Sequence, residues 1–182
     1  MSQQEFERVA EELISAIDTL LESELVVPAL LMLYASIDIM ASLNRPESQS
    51  EVKSSDFIEW ADRYLLCGTQ LECSPEDLYG ARCGLLHTYI AESRSSRVGE
   101  AKQIWYACDA FTAEEYWAWI DQADVPPVVA VHVDDLFAAF RFAVERFKHR
   151  LLSDPRKANL VYERTHKSFS NVLLLRNEGD SA

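Results

Sequence analysis

The sequence predicts a mainly α-helical bundle with a minor β element, and three observations carry that prediction. Glycine and proline are scarce, at 5 and 6 of 182 residues, which leaves little room for long structureless segments. Phe6, Val9, Leu13, Ile14, Ile17, Leu20 and Leu21 recur at steps of three and four, the mark of a helix with one buried stripe. From Glu24 to about Asn44 the chain is apolar nearly all round, as a central bundle helix is. The length predicts a single domain over residues 1–182.

The elements follow in order. Pro28 suits the first turn of the second helix, and Asp38, within "ASIDIMASLN", is the polar exception on it. Arg45–Ser55 is a polar loop. Asp56 followed by Glu59 predicts a capping box and a third helix with Phe57, Trp60, Ala61, Tyr64 and Leu65 on one side. Cys67–Cys73 connects. Ser74, Pro75, Glu76 and Asp77 supply an N-cap, a first-position proline and first-turn acids, so a fourth helix starts near Pro75.

Beyond "ESRSSRVGE" the period changes. "KQIWYAC" alternates and reads as a strand. Thr112 and Glu115 cap a short helix carrying Tyr116, Trp117, Trp119 and Ile120, and "PPVVAVHV" is a second strand. Paired, the two predict a small β-hairpin insertion over about 101–132. Val133–Leu152 is a long helix and Arg156–Leu175 a weaker closing one, giving about five to seven helices. The core helices occupy about 3–92 and 133–152.

Charge and targeting narrow the function classes. The formal net charge of −13 speaks against a surface that wraps nucleic acid broadly. The balance is uneven, because residues 141–167 carry eight Lys and Arg against Glu145, Asp154 and Glu163. No basic region precedes an apolar run at the N-terminus, so no signal peptide is expected. The longest apolar stretch, Leu25–Ala41, is broken by Pro28, Tyr34, Ser36 and Asp38, and no membrane span is expected. The four cysteines lack CxxC spacing and read as reduced thiols of a cytoplasmic chain. Neither a cofactor nor a metal ligand set is expected.

The chemistry-bearing residues lie in "DLYGARCGLLHTYI". Arg82 and His87 form R-x4-H; with a permitted gap of four to six residues, about 0.8 matches are expected by chance in a chain of this composition, so context must inform it. Five helical positions leave the two roughly 140° apart. Gly84, between them, costs about 1 kcal/mol relative to alanine and permits a close backbone approach.

"LYGARCGLLHTYI", preceded by "LLMLYASIDIMASLNR" and "FIEWADRYLL", resembles the HEPN superfamily over roughly residues 5–92. The resemblance implies a HEPN-like helical bundle that dimerises through the Arg82–His87 helix. It implies a metal-independent endoribonuclease, or a degenerate RNA-binding relative, acting on single-stranded RNA at a dimer cleft. His87 would act on the ribose 2′-hydroxyl or the leaving oxygen, and Arg82 on the scissile phosphate. Asp38 would orient or charge-balance one of them. On the family alone, the setting would be bacterial defence or toxin–antitoxin systems, with an antitoxin-like protein as partner. Catalytic members usually place Asn directly after the arginine, where this chain has Cys83.

Each feature also has a plainer reading. Arg82 pairs Asp38 or Asp77 structurally, and His87 is a core histidine. Arg94 and Arg97 grip RNA phosphates, or they belong to a solvated linker. The aromatic segment 104–119 stacks bases, packs a small sheet, or lines the cleft of a helical small-ligand-binding regulator. The alternative to an RNase is thus a non-catalytic dimerisation and interaction module in which the motif helix serves packing alone.

Overall fold

The computed structural model describes residues 3–88, 98–108, 112–120 and 128–177, without the side chains of His87, Thr88, Tyr116, Trp119, Ile120 and residues 170–177. Helix α1 (Gln3–Glu22) buries Phe6, Val9, Ala10 and Ile17, the stripe its periodicity marks. Glu24 ends it with a φ of 59°, a position where glycine is usual. The amide of Leu25 reaches back to the Leu20 carbonyl and that of Glu24 to Leu21, both at 2.9 Å, which satisfies two end carbonyls.

Helix α2 (Val26–Asn44) is the centre of the bundle and packs on α1. By length and composition it is long and apolar enough to cross a membrane, more so than its polar interruptions suggest. Nine of its residues, from Ala29 to Leu43, are buried against the rest of the chain. Its last carbonyls are met from far along the sequence. Arg164 donates to the carbonyls of Leu43 at 3.1 Å and Pro46 at 2.9 Å and also to that of Arg45, while Lys157 donates to Asn44. Two cations of the basic run 141–167 are therefore held at the negative end of a helix. Burial lowers both pKa values, and the neighbouring guanidinium lowers each further.

Helix α3 (Ser54–Trp60) begins three residues before the sequence reading placed it, with Lys53 rather than Asp56 at the N-cap position. Asp56 is the third helical residue and accepts from the Lys53 amide at 2.7 Å and from Gln49 Nε2 at 2.6 Å. The helix widens into a π-helical turn (Ala61–Leu66), yet the expected face stays inward, with Phe57, Trp60, Ala61, Tyr64 and Leu65 all buried. Arg146 Nη1 meets the Tyr64 carbonyl in that turn at 2.5 Å.

Helix α4 (Pro75–Thr88) opens as its sequence predicts. Ser74 Oγ accepts from the Asp77 amide at 3.1 Å, and Asp77 Oδ2 accepts from the Ser74 amide at 2.9 Å. The other carboxylate oxygen of Asp77 accepts from the Lys102 amide at 2.5 Å, which ties this helix start to the strand that follows.

The strands correct the sequence reading. β1 (Gln103–Ala107) and β2 (Val128–His132) are parallel, with Gln103 opposite Val128 and Ala107 opposite His132, and do not form a hairpin. Parallel strands need a crossover of a dozen or more residues. The segment between these two is long enough and carries α5 (Ala113–Ile120). Nor is the pair peripheral, since Ile104, Val129 and Val131 belong to the same buried cluster as the helices. α6 (Val133–Leu152) follows β2 directly, with His132 as its cap, and α7 (Pro155–Asn177) closes the bundle against α1 and α2.

One polar contact joins strand to bundle. The Tyr34 and Tyr106 hydroxyls lie 2.5 Å apart in the interior, and burial raises both pKa values. Phenylalanine at either position leaves the other hydroxyl buried alone, so each single variant is expected to lose about 1–3 kcal/mol. The double variant should recover most of that loss. Urea melts of the four-protein cycle measure the coupling.

Candidate functional site

The polar exceptions on α2 and α4 meet. Arg82 Nε donates to Asp38 Oδ2 at 2.7 Å, and about a quarter of each side chain remains exposed, 23% and 25%. Asp77, the other acid considered for Arg82, is already committed to the start of α4. Burial raises the Asp38 pKa, and the Arg82 hydrogen bond and charge offset this in part. Burial disfavours the charge on Arg82, but the hydrogen bond and charge of Asp38, then Cys83, more than compensate and its pKa rises. The 2.7 Å separation is that of a short, charge-assisted hydrogen bond.

Two neighbours on α4 complete the group. Arg82 Nη1 lies 3.9 Å from Cys83 Sγ, and its guanidinium carbon is 5.9 Å from the centre of the Tyr79 ring. Tyr79 and Cys83 are one turn apart; burial first, then the Cys83 contact, raises the Tyr79 pKa. Tyr79 also packs edge-on against Phe57, with ring centres 5.5 Å apart. The guanidinium is thus fixed by a carboxylate, a sulfur and an aromatic face, and Cys83 takes part in that fixing.

Asp38 and Arg82 line a cleft of about 330 Å³ together with Ile39, Ser42, Leu43, Val52, Ser168 and Phe169. Two other clefts are larger but hold less convergent chemistry. In one of about 500 Å³, between Gly68–Leu71 and α6, Arg146 is spent on the Tyr64 carbonyl. In one of about 360 Å³, between α1, α6 and α7, Glu145 is paired on the surface with Lys148 at 2.8 Å. None of the three is lined by Trp105 or its neighbours, as the small-ligand reading requires.

The remaining sequence-predicted residues are placed unevenly. His87 sits on α4, five positions after Arg82, and its side chain lies outside the described residues, as do Arg94 and Arg97. Gly84 is buried within the single chain. Among the described residues, no three His, Cys, Asp or Glu side chains stand together as a metal site would require. Sequence reasoning passed over Tyr79 and Ser42. Tyr79 had a signal, being one turn before Cys83. Phe169 stands out in sequence only as an aromatic beside the basic run 141–167, and its place at this cleft had no signal, because it comes from a helix more than 80 residues away.

The cysteines differ in environment. Burial, then the Asp77 charge, pushes the Cys73 thiol up to about 12, while Cys67 is exposed. At pH 8 roughly one Cys73 in ten thousand is thiolate, the reactive form. Iodoacetamide followed by peptide mapping should label Cys67 in the folded protein and Cys73 only after denaturation.

Searches of family models, of curated proteins and of solved structures find no match to this chain.

Proposed function

We propose that this is a HEPN-like, metal-independent endoribonuclease, or an RNA-binding relative of one, working as a cytoplasmic homodimer in a bacterial defence or toxin–antitoxin setting. The observation that supports it is the solvent-open guanidinium of Arg82, held by Asp38 in a cleft and followed five residues later by His87 on the same helix. A guanidinium fixed before substrate arrives is suited to a phosphate whose charge grows in the transition state. A histidine titrating near neutrality is suited to moving the 2′-hydroxyl proton. Cys83 gives the arginine a sulfur contact in place of the usual amide.

The test is cleavage of labelled single-stranded RNA by the purified full chain in EDTA, with light scattering for the dimer. Chelator-insensitive cleavage that His87→Ala removes supports the nuclease. Intact RNA with both proteins excludes it.

A second reading, the non-catalytic interaction module, is favoured by one observation. Arg82 already spends its Nε on Asp38, as a purely structural arginine does. It predicts a dimer that leaves RNA uncut and grows no more toxic to a host when His87 is retained than when it is removed.

A further inference from the structure

We propose that the Asp38–Phe169 cleft is a subsite for one nucleobase of single-stranded RNA, selective for bases that carry an exocyclic amine. This rests on the RNA reading of Arg82 and adds what the site recognises. The cleft lining combines two kinds of side chain. Ile39, Leu43, Val52 and Phe169 are apolar, and Val52 is 51% exposed. Asp38, Arg82, Ser42 and Ser168 are polar. An aromatic ring together with polar groups is the combination that stacks a base and reads its rim. At about 330 Å³ the space is near the lower limit for ligand sites, which fits one nucleoside and excludes a folded peptide element.

The hydrogen-bonding groups set the preference. Asp38 Oδ2 accepts from Arg82, and in the proposed complex the other carboxylate oxygen is the acceptor for the base. Ser42 Oγ already accepts from Arg45 Nη1 at 2.9 Å, which leaves its hydrogen to offer. A carboxylate accepts from the amino groups of cytosine, adenine or guanine and repels the O4 carbonyl of uracil.

The cations around the cleft continue the path. Arg45 is bonded to Ser42, and Arg164, one turn before Ser168, is bonded to the Arg45 carbonyl. Arg82 and this arginine pair therefore lie along the C-terminal half of α2 on a chain whose net charge is −13. The scissile phosphate falls to Arg82 and the base to the cleft, with the positive charge of the Arg45–Arg164 end beside it.

The experiment is fluorescence anisotropy of 5′-labelled rA12, rC12 and rU12 on the full chain in EDTA, with thermal melts of every variant. The wild type should bind rA12 and rC12 several-fold more tightly than rU12. Phe169→Ala should weaken rA12 about tenfold, by the loss of one stacked base, and Phe169→Trp should restore it. Ser168→Trp, at an exposed rim position, should fill the cleft and weaken all three RNAs without lowering the melt. Equal affinity of Phe169→Ala and wild type overturns the subsite, even where the wild type cuts RNA and the nuclease reading stands. Binding lost in Phe169→Ala by a protein that never cleaves supports the subsite and overturns the nuclease. No binding of any of the three RNAs overturns the subsite and leaves the interaction module.

Discussion

On the proposed nuclease reading, His87→Ala is expected to lower the rate of single-stranded RNA cleavage by roughly 100- to 10,000-fold, the span that a positioned general acid or base contributes. Arg82→Lys should cost a comparable factor, on the order of 100- to 1,000-fold, for a geometric reason. Arg82 uses Nε on Asp38 and Nη1 beside Cys83, a fork that a single ammonium cannot reproduce. If the two side chains act on one transition state, the double variant should be scarcely slower than the worse single one. Single-turnover rates with EDTA present, read beside thermal melts, separate this from unfolding. A lysine variant that melts normally and cuts at the wild-type rate would remove Arg82 from the chemistry and leave it a structural partner of Asp38.

The largest stability effect belongs to Trp60. It is fully buried, with ring centres 5.6 Å from Tyr64 and 6.3 Å from both Phe140 and Phe147. Trp60→Ala is expected to cost about 3–5 kcal/mol by transfer and cavity losses. That is a large part of the roughly 5–15 kcal/mol that folds a domain of ordinary stability. Yet the indole Nε1 is buried and, among the described residues, has no hydrogen-bond partner. Such a donor costs about 1–3 kcal/mol. Trp60→Phe removes it together with part of the ring, and the two changes should nearly cancel, leaving stability within about 1 kcal/mol of wild type. Urea melts of the three proteins decide it. A phenylalanine variant as damaged as the alanine one would mean that the N–H is satisfied in solution.

What the sequence made legible were features whose cause is local. Ser74 and Asp77 sit three apart and cap each other because a helix start leaves amides open there. The stripe from Phe6 to Ile17 lies inward because its period matches the helix. Asp38 and Arg82 stood out singly as polar residues on apolar helices. Their meeting, across 44 positions, was legible only as one of two pairings, and the cap on Asp77 left the other.

Strand direction was not legible, because alternation marks a strand without saying which way its neighbour runs. The π-helical turn was hidden for a similar reason. Trp60, Ala61, Tyr64 and Leu65 face inward in either helix type, so the hydrophobic pattern does not register the wider turn. The cleft itself drew on α2, α4 and α7 together, and no window of sequence contains all three.

Arg164 closes the end of α2 across 119 positions of sequence. On a ribosome adding about 5–20 residues per second, the arginine is made roughly 6–24 s after the carbonyl it meets. During that interval the central helix exists with its terminal carbonyls open and its apolar surface lacking the partner that α7 supplies. The chain therefore has a vulnerable period set by its own topology, in which a chaperone or a protease meets α2 before α7 does. Ribosome stalling between residues 152 and 164 should leave a nascent chain that limited proteolysis cuts at the 44–46 corner, and stalling well beyond α7 should protect that corner.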